Sequence, residues 1–449
     1  MKRLLLLVTM VTMVTMVTMV TMAAFAGPVA AADAYKVMPN VAPMMLNETF
    51  WINKLQEPNQ VILEHKQIAA FNQAVIDKSP DTVFDLRQYP RQLSKEKLVS
   101  LIAIPKSPED MEYVNGKTVT ADYYSTLAAK CNIDAIAPST PVRFAFTVVR
   151  ANIRTYPTND FVADKSDDHE FDLLQETAID PAEPVVILHE SLNKDWYYVQ
   201  TYNYRGWLPV KALAVAANRQ EWLEYLDAAE FLTVTARKIT IGDNVFAMGA
   251  KLPLADSKVS LLREKQVKAD GHYTVKLPVR GPQGELVFER AAVPLDNQVV
   301  RGYLPYTRAN IISQVFKLHG QRYGWGGMHD SWDCSSLVLD VYRSFGLKLP
   351  RNADEQELAA GRTIPFSEND RVTQIKKLEP GDAIYMPGHV MIYLGEEQDG
   401  HPYAIHSLGG YSTEAGRISV MRVVVSDLSL KTRSGKTFLN ALTNGKQFQ

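Results

Sequence analysis

Two cysteines occur in 449 residues, and only one stands where it could react. Cys334 closes the stretch Tyr323-Gly-Trp325-Gly326-Gly327-Met-His329-Asp-Ser-Trp332-Asp333 and opens an apolar-periodic one, Ser335-Ser336-Leu337-Val338. The pattern predicts a thiol at a helix N-terminus. There, unpaired N–H groups and the positive end of the helix dipole favour a thiolate and lower its pKa from about 8.5. The Gly326-Gly327 pair lets backbone approach a substrate closely, and nearby N–H groups could form part of an oxyanion hole. Asp333 opposes thiolate formation unless it points at something else, and a substrate ammonium is one candidate.

A nucleophilic thiol also needs an imidazole to take its proton and return it to a leaving amine. Gly388-His389-Val390-Met391-Ile392-Tyr393-Leu394 reads as a strand with His389 at its start, following the turn-and-strand signal Pro380-Gly381-Asp382-Ala383-Ile384-Tyr385. Tyr403-Ala-Ile405-His406-Ser407 reads as a neighbouring strand that could supply the residue fixing the tautomer of His389. Cys334, His389 and His406 would then be a triad. The competing readings are inert packing of the thiol, a disulfide to Cys131, and zinc held by His329, Asp333 and Cys334 or by His389, His401 and His406. Neither zinc set matches the paired short steps of common sites, so no metal and no cofactor is expected. Cys131 falls with Tyr123 and Leu127 on a helical stripe and reads as packing.

The elements that must position these residues change texture along the chain. From Met45 to about Ala137 the pattern is helical, with Leu63, Ile68, Phe71, Val75 and Ile76 mostly three to five residues apart and Pro80 and Pro90 as breaks. Residues 33–137 are therefore expected as an N-terminal helical region. Alternation at Val142, Phe144, Phe146 and Val148, the apolar run Val185 to Leu188 and the Trp196-Tyr197-Tyr198-Val199 run predict a small barrel over 138–218. A helical bridge, Arg219 to Ala229, and more short strands make 219–306 a second barrel. Residues 307–449 place helices first and strands afterwards, an α+β domain.

Composition sets the limits. With 48 Lys and Arg against 50 Asp and Glu the chain carries −2, which gives no basic footprint for nucleic acid. Met1 to Ala32 runs basic, apolar, small: Lys2 and Arg3, then Leu4 to Leu7 and five Val-Thr-Met repeats, then Ala24-Phe25-Ala26 and Ala30-Ala31-Ala32. That is the order of a secretory signal, cut after Ala26 or, preferably, Ala32. An uncleaved anchor is the alternative. Cleavage would leave a protein exported to the periplasm or the cell exterior, without stable membrane association and at a charge of −4.

Tyr-x-Trp-Gly-Gly at 323–327, Asp333-Cys334-Ser335 before an apolar helix, Pro-Gly-Asp at 380–382 and Gly-His-Val at 388–390 together resemble the NlpC/P60 family of bacterial cell-wall cysteine peptidases. The resemblance implies a papain-like domain. In it Cys334 is the nucleophile, His389 the base, His406 the orienting residue and Tyr323 a neighbour of the oxyanion site, while Asp333 and Ser335 contact substrate. Arg351, in Leu349-Pro350-Arg351-Asn352, falls in a recurrent family segment and receives no role. The barrels resemble bacterial SH3 domains, the first through Arg150 to Pro157, Asp195 to Val199 and Gly206-Trp207-Leu208, the second less closely. The region with Phe50-Trp51-Ile52 is similar to the N-terminal stabilising part of four-part relatives, in which the first SH3 domain narrows the cleft. The implied fold class is multidomain α+β. The implied partner is a peptidoglycan stem peptide with a free N-terminal L-Ala, cut between γ-D-Glu and the diamino acid. A non-catalytic wall-binding protein and a thiol-dependent acyl transferase stay open. Oligomeric state is not legible.

Overall fold

Prolines and capping side chains divide the N-terminal region into short helices, Glu48–Ile52, His65–Lys78, Lys95–Leu101 and Ala121–Lys130. These belong to a computed structural model that describes residues 37–102, 111–255, 271–398 and 400–449. The expected export segment, Met1 to Ala32, lies outside the described residues. The longest of these helices buries Ile68, Phe71 and Val75, the stripe that the spacing predicts. Leu63 is not on it. Glu64 caps that helix, its backbone N–H bonded to the Gln67 side chain at 2.8 Å, so the residues before it leave the helix. Val61–Leu63 instead pairs antiparallel with Tyr306–Thr307. Cys131 caps the last of the four helices, buried, and both cysteines are free.

The first strand-rich region is one antiparallel sheet of seven strands in the order Leu213–Val215, Arg143–Thr147, Pro184–Glu190, Trp196–Gln200, Arg205–Pro209, Ala151–Arg154, Gln175–Ile179. Alternation along Trp196–Gln200 sends Trp196 and Tyr198 into one apolar cluster with Trp207, and Tyr197 and Val199 into another with Leu208. The two tryptophans are thus barrel core. The helix Arg219–Leu226 packs on this sheet through Trp222, whose indole N–H donates to the Ala145 carbonyl at 3.0 Å. Three small antiparallel sheets follow, built from Lys251–Pro253, Phe231–Val234 and Val299–Arg301, from Lys238–Ile241 and Asn244–Ala247, and from His272–Arg280 and Leu286–Pro294.

The last region sets helices against a six-stranded antiparallel sheet ordered Arg362–Pro365, Asn444–Gln447, Ala383–Met386, His389–Glu396, Pro402–Thr413, Gly416–Asp427. The helix Cys334–Arg343 lies on its middle and buries eight of its residues, from Cys334 and Ser335 to Val341 and Tyr342. Among the described residues no helix is long and apolar enough to cross a membrane.

Candidate active site

The helix that opens with Cys334 begins where the sequence predicts. Asp333 is its N-cap, with Oδ1 accepting from the Ser336 N–H at 2.8 Å while the Ser336 hydroxyl accepts from the Asp333 N–H at 3.0 Å. This capping box leaves Cys334 as the first helical residue. The thiol faces the N–H groups of Ser335 and Val390, both of which stabilise a thiolate. Burial is stronger. Together with the carboxylate of Asp333 it outweighs those N–H groups and Arg351 and pushes the thiol up to about 12. The low pKa expected from the helix terminus is therefore not what the surroundings give, because the N–H groups act on a sulfur with little water.

His389 stands at the first position of its strand because Pro387-Gly388 closes a two-residue hairpin, pairing Met386 with His389. Gly388 takes φ 72, a conformation glycine adopts without strain, and proline fixes the preceding φ. The ring meets His406 across the sheet: His389 Nε2 and His406 Nδ1 are 2.7 Å apart. His406 Nε2 lies 2.9 Å from the Ser426 hydroxyl. Phe438 walls both imidazoles, its ring centre 6.4 Å from that of His389 and 6.1 Å from that of His406. Burial lowers His389 to about 4 and also lowers His406 well below the usual imidazole value, with His389 adding to the effect on His406. The pair is neutral near pH 7, so hydrogen bonds decide which nitrogens carry protons. If His389 Nε2–H donates to His406 Nδ1, then His406 Nε2–H donates to Ser426, and His389 Nδ1 keeps a lone pair for a thiol proton.

Tyr323 is 7% exposed, and burial, the thiol and Asp333 hold its hydroxyl neutral. It is a donor within the electrostatic reach of Cys334, the property an oxyanion partner needs. Asp333 and Ser335 differ from expectation. Arg351 donates to both Asp333 oxygens, Nη2 to Oδ2 at 2.6 Å and Nη1 to Oδ1 at 3.2 Å, and also to the Ser335 hydroxyl at 2.8 Å. Gly326 N–H adds a bond to Oδ2 at 3.0 Å. Burial would raise the Asp333 carboxyl, but Arg351 and Ser336 override it and hold it below the usual carboxylate range. With its acceptor sites taken, Asp333 has none left for a substrate ammonium, and Ser335 is turned into the same buried cluster. In this arrangement Asp333 caps the helix and, with Arg351, holds the glycine turn.

Arg351 also donates from Nε to Thr177 Oγ1 at 2.7 Å, which ties this cluster to the barrel strand Gln175–Ile179. Gln175 Nε2 donates to the Gly326 carbonyl at 2.8 Å, Arg150 Nη2 to that of Gly327 at 3.2 Å, and Trp325 Nε1 to that of Asp172 at 3.1 Å. The first barrel is thus a wall of the site, bonded to the turn that precedes the thiol. His401, one of the residues considered for zinc, lies in the turn after the His389 strand, and the described residues hold no cluster of three metal-binding side chains.

The model of the NlpC/P60 family matches residues 320–414, the span from the start of the glycine turn past His406. Residues 320–414 are an NlpC/P60 domain. The model of an SH3 domain of the SH3b1 type matches 161–209, within the seven-stranded barrel. Among curated relatives, the bifunctional muramidase/DL-endopeptidase CwlT of Bacillus subtilis is 34% identical over 95 residues, which is 19% of this chain and 26% of that one. Dipeptidyl-peptidase 6 of Lysinibacillus sphaericus is 26% identical over 235 residues, 51% of this chain and 78% of the relative. A solved structure of an NlpC/P60 endopeptidase from Photobacterium damselae subsp. piscicida superposes with a TM-score of 0.68 at 16% identity, covering 88% of this chain and 95% of that one. The NlpC/P60 domain with its SH3 barrel accordingly has the mixed α/β, papain-like fold that the motifs imply.

Proposed function

We propose that this protein is an exported cysteine peptidase that hydrolyses the bond between γ-D-glutamate and the L-diamino acid in peptidoglycan stem peptides. The observation that carries the reading is the run His389, His406, Ser426 on one face of the sheet, joined by the 2.7 Å and 2.9 Å contacts of the two imidazoles, with Cys334 opening the helix packed on that sheet and meeting the N–H of Val390, the residue after His389. In the resting site the thiol and imidazole are neutral. On substrate binding the Cys334 proton passes to His389 Nδ1 as sulfur attacks the amide carbon, and Tyr323 O–H donates to the oxyanion. The C–N bond breaks, and the imidazolium gives its proton to the leaving amine. Water then attacks the thioester, yielding a proton to His389, and the departing sulfur takes it back. His406 holds the ring of His389 and stabilises its charge in both steps. The two curated relatives bear peptidase names, and the SH3 barrel beside the cleft fits a wall-derived substrate.

The deciding experiment is mass spectrometry of L-Ala-γ-D-Glu-diaminopimelate peptides, free and N-acetylated, with the protein and with Cys334→Ala. Release of diaminopimelate-containing product by the wild type alone is expected. Because Asp333 is occupied by Arg351, acetylation should not block cleavage. A block would mean that another group reads the amine, and no cleavage of either peptide by protein with a titratable thiol would favour a wall-binding role without catalysis. Added acceptor amine reveals transfer, if any, as a larger product.

A further inference from the structure

A second cavity lies where the N-terminal region, the first barrel, the bridging helix and the last region meet. Its volume is about 160 Å3, and its lining includes Arg87, Tyr202, Tyr225, Lys251 and Lys348. A cavity of that size takes a body the size of one aromatic ring.

The polar groups on its walls are in deficit of one kind. Tyr225 is 4% exposed and its hydroxyl has no hydrogen-bond partner; the buried hydroxyl of Tyr202 has none either. The Lys348 ammonium makes no hydrogen bond among the described residues, while Lys251 donates only to the Leu226 carbonyl, at 2.9 Å. Arg87 is held by Asp227 at the mouth, and Arg343 on the inner wall by Glu183. Neither lysine makes a direct ion pair, although Asp227 attracts both and Asp85 and Glu183 also attract Lys348. Burial lowers both, Lys251 to about 8, and the charge of Arg87 lowers them again. Lys251 and Lys348 thus border a space lined also by Phe84 and Leu347. Water could meet the hydroxyls but cannot neutralise the lysines. A negatively charged acceptor on a small apolar body would use the two unpartnered hydroxyls and the lysine donors together.

We propose that this cavity is a binding site for a small organic anion, a carboxylate or phosphate monoester, whose charge lies between Lys251 and Lys348 and accepts from the Tyr225 and Tyr202 hydroxyls. The site is separate from Cys334 and does not rest on the peptidase reading. Its occupant would bridge four regions of the chain.

The test uses the full chain, titrated calorimetrically and melted with benzoate, with inorganic phosphate and with neutral benzamide. Saturable binding of benzoate or phosphate, with a rise in Tm and none for benzamide, is expected; which anion binds more tightly separates the two headgroups. Lys348→Met should weaken the anion at least about tenfold and Tyr225→Phe about threefold. Tyr225→Phe removes an unsatisfied buried hydroxyl and Lys348→Met a half-buried side chain without a hydrogen bond, so without ligand both should melt at or near the wild-type temperature. Loss of affinity with unchanged or raised stability cannot come from a damaged fold. Equal binding of benzamide and benzoate, wild-type affinity in both variants, or no saturable binding of either anion would overturn the proposal.

Discussion

Ser426 meets the imidazole pair through a single hydrogen bond, in which its hydroxyl can accept or donate. With both rings neutral, two tautomer sets compete, and only the one with His406 protonated on Nε2 leaves His389 Nδ1 free to accept from the thiol. The Ser426 oxygen, 2.9 Å away and wholly buried, gives that N–H an acceptor. Removing it strands an N–H in a dry interior, so the proton moves to His406 Nδ1, and His389 turns its own N–H toward sulfur. Ser426→Ala is therefore expected to lower kcat by roughly 10- to 100-fold with little change in KM, the mark of an effect confined to the transition state. Ser426→Thr, which keeps the oxygen, should recover most of the loss; equal losses in both variants would point to packing alone. Cys334, His389 and His406 could be proposed from the sequence because each sits in a short motif. Ser426 was not, because it enters through register: His406 pairs with Val424, and two residues further on returns to the same face. Arg351 was visible as a residue but not as a partner, since its bonds to Asp333 and Thr177 join segments far apart in the chain.

The glycine turn and the barrel strand beneath it are shaped to each other. Gly326 and Gly327 hold φ values of 53 and 80, and a Cβ on Gly327 would stand 2.6 Å from that of Ala178. Glycine is required twice there, for the left-handed backbone and for the approach to Gln175–Ile179. Gly327→Ala should cost about 1–3 kcal/mol of stability and lift the turn from the barrel. Tyr323 lies at the near end of that turn, its ring centre 5.9 Å from that of Phe171, so kcat/KM should fall at least about tenfold. Adding Ala178→Gly removes the steric partner but not the strained φ, and should restore activity more than melting temperature. If the second change restores neither, the barrel does not set the position of the turn. The glycine pair could be read as a close-approach device. What it approaches could not, because hydrophobic periodicity identifies strands without saying which face meets a loop about 150 residues further on.

Across the whole molecule, charges link the helix Cys334–Arg343 to both strand-rich regions. Asp340 accepts from the Trp332 indole at 2.7 Å and from Arg343 at 3.4 Å, and Arg343 pairs with Glu183 of the barrel. Nearby, Arg150 pairs with Asp180 and with Asp330, which also holds Lys238 at 2.5 Å from the next sheet. Such pairs leave no trace in local sequence patterns; only the assembled chain brings them together. Burial raises the Asp340 carboxyl to about 6, Asp180 raising it too and Arg343 lowering it. The folded state therefore binds this proton more tightly than the unfolded chain, where an aspartate titrates near about 3.9. The stability it contributes is complete below that unfolded value and is lost as pH rises toward 6. Asp340→Asn keeps an oxygen for Trp332 without the charge, and Arg343 retains Glu183. The variant should melt roughly 2–4 °C above the wild type at pH 7, with the gap closing as pH falls toward 4. A gap that stays constant over that range would mean that Asp340 is ionised throughout and that the network, not burial, governs its proton.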